Sequence, residues 1–313
     1  MSRLTVVMYH YVRDLSNSRY PKIKGLDFSL FIGQIKYLLK NYSFIKMEDL
    51  IDSIYNNKQL PSNAVLLTFD DAYIDHYLNV FPVLDYYQIQ GSFFAPVKAI
   101  TEHEVLDVNK VHFILASANE KDIIDMIKGL LLEIKNEPGI YGFSHYYETL
   151  AKPTRFDSKD VIFIKRLLQH ALPKASREKT VNELFEKFVG IEESTFSREL
   201  YMNEYHYKTM LKHGMHIGGH GYDHYWMDKL TKEAQTSEVL KTKNFLSALG
   251  VDEDYYSYCY PYGSHNNDTI NILKSNGFKC AFTTDVNTIN IKENYNQFTI
   301  PRLDTNDLPK GEH

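Results

Sequence analysis

Cysteine and tryptophan are almost missing: two Cys and one Trp stand in 313 residues. With only Cys259 and Cys280 available, a disulfide framework is excluded, and two free thiols suit a reducing compartment. No apolar run approaches the length of a membrane span. The opening stretch Met1–Met8 is cut off by Tyr9-His10-Tyr11 and Arg13-Asp14 before a signal-peptide core can form. The expected setting is the cytoplasm, unless an export signal has been trimmed away. Strong charge of one sign is lacking too. A net charge of -5 and a pI near 6.2 give no long-range pull toward nucleic acid or an anionic membrane. Internal repeats and low-complexity segments are absent.

What remains is an ordinary globular composition, 43% hydrophobic and 24% charged, in a chain long enough to bury a substantial core. Tyrosine is plentiful at 24 residues. Its flat body and hydroxyl suit sugar faces, but they serve half-buried surfaces equally well.

Periodicity divides the chain into three parts. Over the first hundred residues, Leu4–Tyr9, Phe44–Lys46, Val65–Phe69 and Gly91–Val97 read as strands. Phe28–Tyr42, Met47–Asn57 and Tyr73–Tyr87 read as helices, the last interrupted by Pro82. Strand and helix alternating in this way predict a parallel sheet or barrel. From 101 to 205 the rhythm turns helical, with Asn119–Lys135, Ser158–Leu172 and Ser176–Val189 amphipathic and no strand evident. The α/β rhythm returns with strands at Met215–Gly219, Tyr255–Tyr260, Lys279–Thr284 and Gln297–Ile300, and helices at Thr231–Leu249 and Asp268–Asn276. The predicted organisation is a barrel from 1–100 and 206–305, a helical insertion at 101–205, and a flexible tail at 306–313.

The reactive side chains fall at strand ends. His10, Asp70-Asp71, His220, Pro261-Tyr262-Gly263, Asp285 and Arg302 each follow an expected strand, on the face where parallel barrels build their sites. An Asp pair at a strand end often caps the next helix. Two ionised carboxylates side by side also repel, and a bound cation resolves this by taking one as ligand and leaving its neighbour ionised. His220 and His224 supply further ligands, read as four apart on one helical face. Asp71, His220 and His224 would then leave a coordination position open. Nitrogen and carboxylate oxygen suit Zn2+, with Co2+, Ni2+, Fe2+ or Mn2+ also accepted. Such an ion lowers the pKa of its water to about 7. Asp70 is the expected base, His10 the expected acid, and the Tyr262 N–H an expected oxyanion donor. Pro261, Asp285 and Tyr222 complete the expected substrate wall.

These residues resemble the polysaccharide deacetylase family (carbohydrate esterase family 4, or NodB homology). Its Thr-Phe-Asp-Asp motif is matched at Thr68–Asp71, and its His-Ser/Thr-x-x-His motif at His220–His224, with Gly221 in place of the hydroxyl residue. Its Arg-x-Pro-Tyr/Phe-Gly motif is matched at Pro261-Tyr262-Gly263, with Cys259 where the arginine belongs. Arg302, in Ile300-Pro301-Arg302, is the candidate substitute for that arginine. Met8-Tyr9-His10 looks like the circularly permuted poly-N-acetylglucosamine deacetylase branch, in which the acid comes early in the chain. The resemblance implies a distorted (β/α) barrel of about seven strands, carrying a large helical insertion. It also implies a metal-dependent hydrolase removing an N-acetyl group from a sugar, with Asp70 as base and Asp71, His220 and His224 on the metal.

The expected setting is surface-glycan or O-antigen precursor metabolism. Hydrolysis of another C–N bond, in a formyl or cyclic amide, and a metal-bearing glycan-binding protein without turnover are the alternatives. A carbohydrate is the expected partner, with no nucleic acid and no membrane span. The insertion is expected to form a lid over the sugar pocket or a homodimer surface.

Overall fold

The computed structural model describes residues 3–154, 157–290, 293 and 295–309. Two compact units emerge. The first comprises Met1–Asp14, Gly25–Glu104 and Arg198–His313, and the second Leu15–Lys24 with Val105–Ser197.

The first unit is built on a parallel sheet. In spatial order its strands are β1 (Arg3–Tyr9), β2 (Asn63–Asp70), β3 (Gly91–Ala95), β4 (His216–Gly219), β5 (Ser257–Cys259) and β6 (Cys280–Phe282). A final strand, β7 (Leu303–Asp304), pairs in parallel with Val7–Met8 of β1. Just before it, Ile300 bridges Phe282 of β6, so residues 300–304 close the sheet between its two edges. A short segment, Ile289–Asn290, adds an antiparallel pairing to β1. The distorted barrel expected from the motifs is the fold observed.

Period-two alternation decides what lies inside. Leu4 and Val6, Ala64 and Leu66, Phe94, Cys259, Cys280, Phe282 and Ile300 form one buried cluster. Continuing the β2 series by the same step leads through Thr68 to Asp70, so the base candidate crowns a column of core residues. Gly218 must be glycine, because a Cβ there would come within 2.5 Å of the Phe94 ring.

Two elements differ from expectation. The predicted Gln297–Ile300 strand is reduced to the single bridge at Ile300. Asn296 captures the backbone instead: its side chain accepts from Phe298 N at 2.9 Å and its carbonyl from Thr299 N at 3.0 Å. The helix expected over Tyr73–Tyr87 opens as a wide turn at His76–Val80 and becomes regular only over Phe81–Tyr87. Pro82 lies in its first turn, where a missing N–H costs little.

In the second unit all elements among the described residues are helical. Asn119 caps Glu120–Glu133 by accepting from Asp122 N. Asp107–Ser117, Phe143–Leu150 and Glu193–Leu200 are helices that the periodicity did not mark. Asp107–Ser117 explains why: seven of its residues are buried, so no single apolar stripe stands out. The expected tail at 306–313 begins inside a short 3-10 turn, Thr305–Asp307, and residues 310–313 lie outside the described residues.

Inside the barrel, near the starts of its strands, His216 and Ser257 form a buried pair, Nε2 to Oγ 2.7 Å. Burial pulls the His216 imidazole down to about 4 in spite of Glu48. A histidine in the unfolded chain titrates near 6.5, so as pH falls the unfolded state takes up protons first. Stability present above that pH is therefore lost progressively toward pH 4. The loss at pH 5 is on the order of 1–2 kcal/mol for this group. Urea midpoints measured at pH 7 and pH 5 should fall with acid, and His216→Gln should flatten the difference. An unchanged difference would place the acid sensitivity elsewhere.

Candidate functional site

Two clusters meet at the mouth of the barrel. In the first, Asp71 Oδ1 lies 3.3 Å from His220 Nε2 and 3.2 Å from His224 Nε2, while the two nitrogens are 3.2 Å apart. Three donor atoms thus form a nearly equilateral triangle with edges of 3.2–3.3 Å. That is the spacing between ligands on one face of a tetrahedral ion with bonds of about 2.0–2.1 Å. His220 Nδ1–H donates to the Cys259 carbonyl at 2.8 Å, which leaves the Nε2 lone pair facing the triangle. The Tyr73 hydroxyl donates to the other Asp71 oxygen at 2.7 Å, and burial keeps that phenol protonated. Asp71 Oδ1 is buried without a hydrogen-bond donor.

Electrostatically the triangle calls for positive charge. Burial pushes Asp71 up, but the two histidines outweigh it and hold the carboxyl well below its usual range. His220 behaves as the mirror image: burial lowers it, and Cys259, Asp71 and Asp70 raise it well above an ordinary histidine. A buried acceptor without a donor, a fixed tautomer and matched spacing make the set fit a divalent cation.

The second cluster surrounds Asp70, which is 1% exposed. Arg302, fully buried, pairs with it: Nη1 donates to Oδ1 at 3.0 Å, and Nη2 lies 2.8 Å from Oδ2 as an ion-pair contact without a hydrogen bond. Arg302 is itself oriented by the Thr283 carbonyl at 2.9 Å and Thr68 Oγ1 at 3.2 Å. The Cys259 thiol, pushed up by burial and so protonated, donates to Asp70 Oδ2 at 3.3 Å. Burial would raise the Asp70 carboxyl, but Arg302 above all holds it down at about 2.

His10 follows β1. Its carbonyl accepts from His76 Nε2 at 2.8 Å. His76 is wholly buried, its imidazole lowered to about 4 by that burial, so it acts as a neutral donor. Asp75 holds Arg13 through bonds of 2.7 and 2.9 Å and also accepts from Val12 N, fixing the chain that leaves His10. Motif reading missed Tyr73, Asp75 and His76, because side chains that brace a backbone carry no spacing signature.

Backbone geometry corrects one expectation. Residues 220–224 are not helical: Gly221 has φ +74 and His224 φ +55. The loop is braced from outside. Glu238 accepts the N–H groups of Tyr222 and Asp223 at 2.8 and 2.9 Å, and Ala95 and Lys98 bond its main chain. The histidines converge because the loop curls, not because a helix repeats. Asp71, Ala72, His224 and Tyr262 are all non-glycine residues at positive φ, a strain concentrated at the site.

Tyr262 sits in that left-handed conformation beside buried Pro261. Its ring lies edge-on to His224 at 4.8 Å and stacks on Trp226 at 4.6 Å. Tyr222 is half-buried under the Lys241 ammonium, 3.8 Å above its ring. Asp285 is different: it is exposed, and its carboxylate accepts from Thr283 Oγ1 at 3.3 Å without joining either cluster among the described residues. Arg302 does not follow a strand, as the sequence suggested, but precedes β7.

Comparison with known proteins bears on the fold and the family. Residues 189–281 match the sequence model of the polysaccharide deacetylase family. The match contains both histidines and Pro261-Tyr262-Gly263, and leaves the Asp pair outside. YxkH of Bacillus subtilis strain 168, provisionally named a polysaccharide deacetylase, is 29% identical over 100 residues. That alignment covers 32% of this chain and spans about a third of the relative's own length (34%). Among solved structures, the Streptococcus pyogenes deacetylase PplD in complex with acetate has a TM-score of 0.56 at 16% identity, covering 96% of this chain and 92% of that one. IcaB from Ammonifex degensii gives 0.56 at 18%, covering 97% and 91%. A de-N-acetylase from Aggregatibacter actinomycetemcomitans gives 0.55 at 15%, covering 97% and 95%. These likenesses establish the fold, and the polysaccharide deacetylase resemblance read from the motifs is borne out. Among the described residues no helix is long and apolar enough to cross a membrane. The homodimer expected through 101–205 finds no support in the fold or in the comparisons.

Gly221 yields a sharp prediction. A Cβ there would sit 3.3 Å from Glu238 Oε2, on a backbone at φ +74 that β-branched residues avoid. Gly221→Thr, which installs a hydroxyl residue of the motif, should cost about 1–2 kcal/mol in strain. If that strain falls on the histidine loop, zinc affinity measured by chelator competition should drop about tenfold. Unchanged affinity would show that the loop conformation does not hold the histidines.

Proposed function

We propose that this chain is a metal-dependent hydrolase that removes an N-acetyl group from a sugar. The observation that carries the reading is the adjacency of Asp70, kept ionised by Arg302, to a triangle of Asp71, His220 and His224 donor atoms. A divalent ion held by those three would supply Lewis acidity toward the acyl oxygen and a lowered pKa for the attacking water, with Zn2+ the best fit to the donor set.

The chain's own residues do the rest. Asp70 accepts the water proton, and Arg302 keeps its carboxylate in one plane and ionised. A carboxyl held near 2 would be a weak base by itself, which suits it to a water already acidified by its surroundings. His10, its backbone carbonyl held by His76, is assigned as the acid that protonates the departing amine. The Tyr262 N–H, in a left-handed turn, is assigned as donor to the developing oxyanion. Tyr222, Pro261 and Tyr262, extended by the Trp226 ring, offer flat apolar faces suited to a sugar.

Asp70 and Arg302 also argue against a binding protein without turnover, since holding a metal and a glycan needs neither. A role in surface-glycan or O-antigen precursor synthesis, in the cytoplasm, belongs to the same proposal and is supported by two unpaired buried thiols.

Purified protein with stoichiometric zinc should release acetate from N-acetylated sugars, and Asp70→Asn should lose at least about a hundredfold in rate while retaining its metal. Full activity in that variant rejects Asp70 as base. Turnover of formyl or cyclic amides with no acetate release would move the assignment to another C–N bond.

A further inference from the structure

Asp71 offers the triangle one of its two oxygens, and a tyrosine takes the other. The Tyr73 hydroxyl donates to Asp71 Oδ2 at 2.7 Å. Oδ1, which faces His220 and His224 at 3.3 and 3.2 Å, is buried without a donor. One oxygen is held by the chain, and the other is left to the two imidazoles.

The hydroxyl is carried by a ring with little freedom. Tyr73 is wholly buried. Its ring stacks on Tyr11, with centroids 3.8 Å apart and planes 19° apart, and lies nearly parallel to Tyr201, at 6.4 Å and 11°. Its backbone forms an antiparallel bridge with Tyr201, and Met202 N donates to the Ala72 carbonyl at 2.8 Å. The Tyr73 carbonyl accepts from His76 N at 3.0 Å. These bonds pin a turn in which Asp71 and Ala72, neither of them glycine, have φ +75 and +61. Such strain persists only where the surroundings over-determine it, and here they fix the direction of one carboxylate.

That direction matters to a cation. A carboxylate can bind through one oxygen or through both. Binding through both would add a fourth protein ligand atom to the triangle and take the position that a catalytic site keeps open. A hydrogen bond on Oδ2 competes with that second contact.

We propose that Tyr73 is a positioning residue that makes Asp71 a one-oxygen ligand: its hydroxyl holds Oδ2 away from the ion and so keeps a coordination position open. The inference rests on the metal reading of the triangle under the proposed function, and not on which acyl group is removed.

Cobalt(II) in place of zinc tests this without any turnover, because its visible bands are intense in a four-coordinate site and weaken when a further ligand joins. The parent chain with one equivalent of cobalt should show intense bands. Tyr73→Phe keeps the ring and deletes the hydroxyl, so its bands should lose intensity at equal cobalt content as Oδ2 joins the ion. Tyr207→Phe, which deletes another wholly buried hydroxyl, should leave the parent spectrum unchanged. Full intensity in Tyr73→Phe, an equal loss in Tyr207→Phe, or failure of Tyr73→Phe to bind cobalt would each overturn the role given to Tyr73. A parent chain without cobalt bands, or with bands that survive Asp71→Ala, would instead overturn the metal reading itself.

Discussion

Two carboxylates leave the end of one strand side by side, and neither can stay ionised in a buried site without a cation of its own. Asp70 receives its cation from within the chain, as the buried guanidinium of Arg302. Asp71 is given two imidazoles that converge on one of its oxygens and leave room for an ion between them. This division of charge governs the rest. It requires the closing segment of the barrel to run between β6 and β1, so that Arg302 reaches Asp70 at the end of β2. It also requires the 220–224 loop to curl rather than coil, so that both histidines face inward.

Much of the architecture could be read from the chain because it depends on local patterning. Apolar strands β1, β2 and β3 stand out by composition, and the helices between them by their stripes. The base and acid candidates, Asp71 and His220 were recognisable as polar residues placed at strand ends, and His224 by its spacing from His220. What escaped was whatever depends on a competing local interaction or on burial all round. Asn296 diverts a stretch that has strand composition, and Asp107–Ser117 hides its helix because most of its residues are buried. The histidine spacing suggested a helix, although the glycine between the histidines already allowed the left-handed turn that forms.

The site residues divide the same way. Asp71, His220 and His224 belong to motifs, so sequence alone can bring them together. Their bracing cannot be read in this way: Glu238 holds the histidine loop, Tyr73 holds Asp71, and His76 holds the His10 backbone, each from a segment with no motif. The departures from the motif prove coherent. Gly221 replaces a hydroxyl residue because the backbone there is left-handed, and Cys259 fits because Arg302 already supplies the charge. Asp285 is the exception, a strand-end carboxylate that turns to its own Thr283 and stays outside the site.

The central claim is that Asp71, His220 and His224 hold one divalent ion beside an ionised Asp70. Crystals grown with one equivalent of zinc and measured on both sides of its absorption edge test this most directly. The account predicts a single anomalous peak bonded to one carboxylate oxygen and two imidazole nitrogens, with Asp70 still paired to Arg302. Zinc bound elsewhere on the chain, or Asp70 drawn away from Arg302 to ligate the ion, would contradict it.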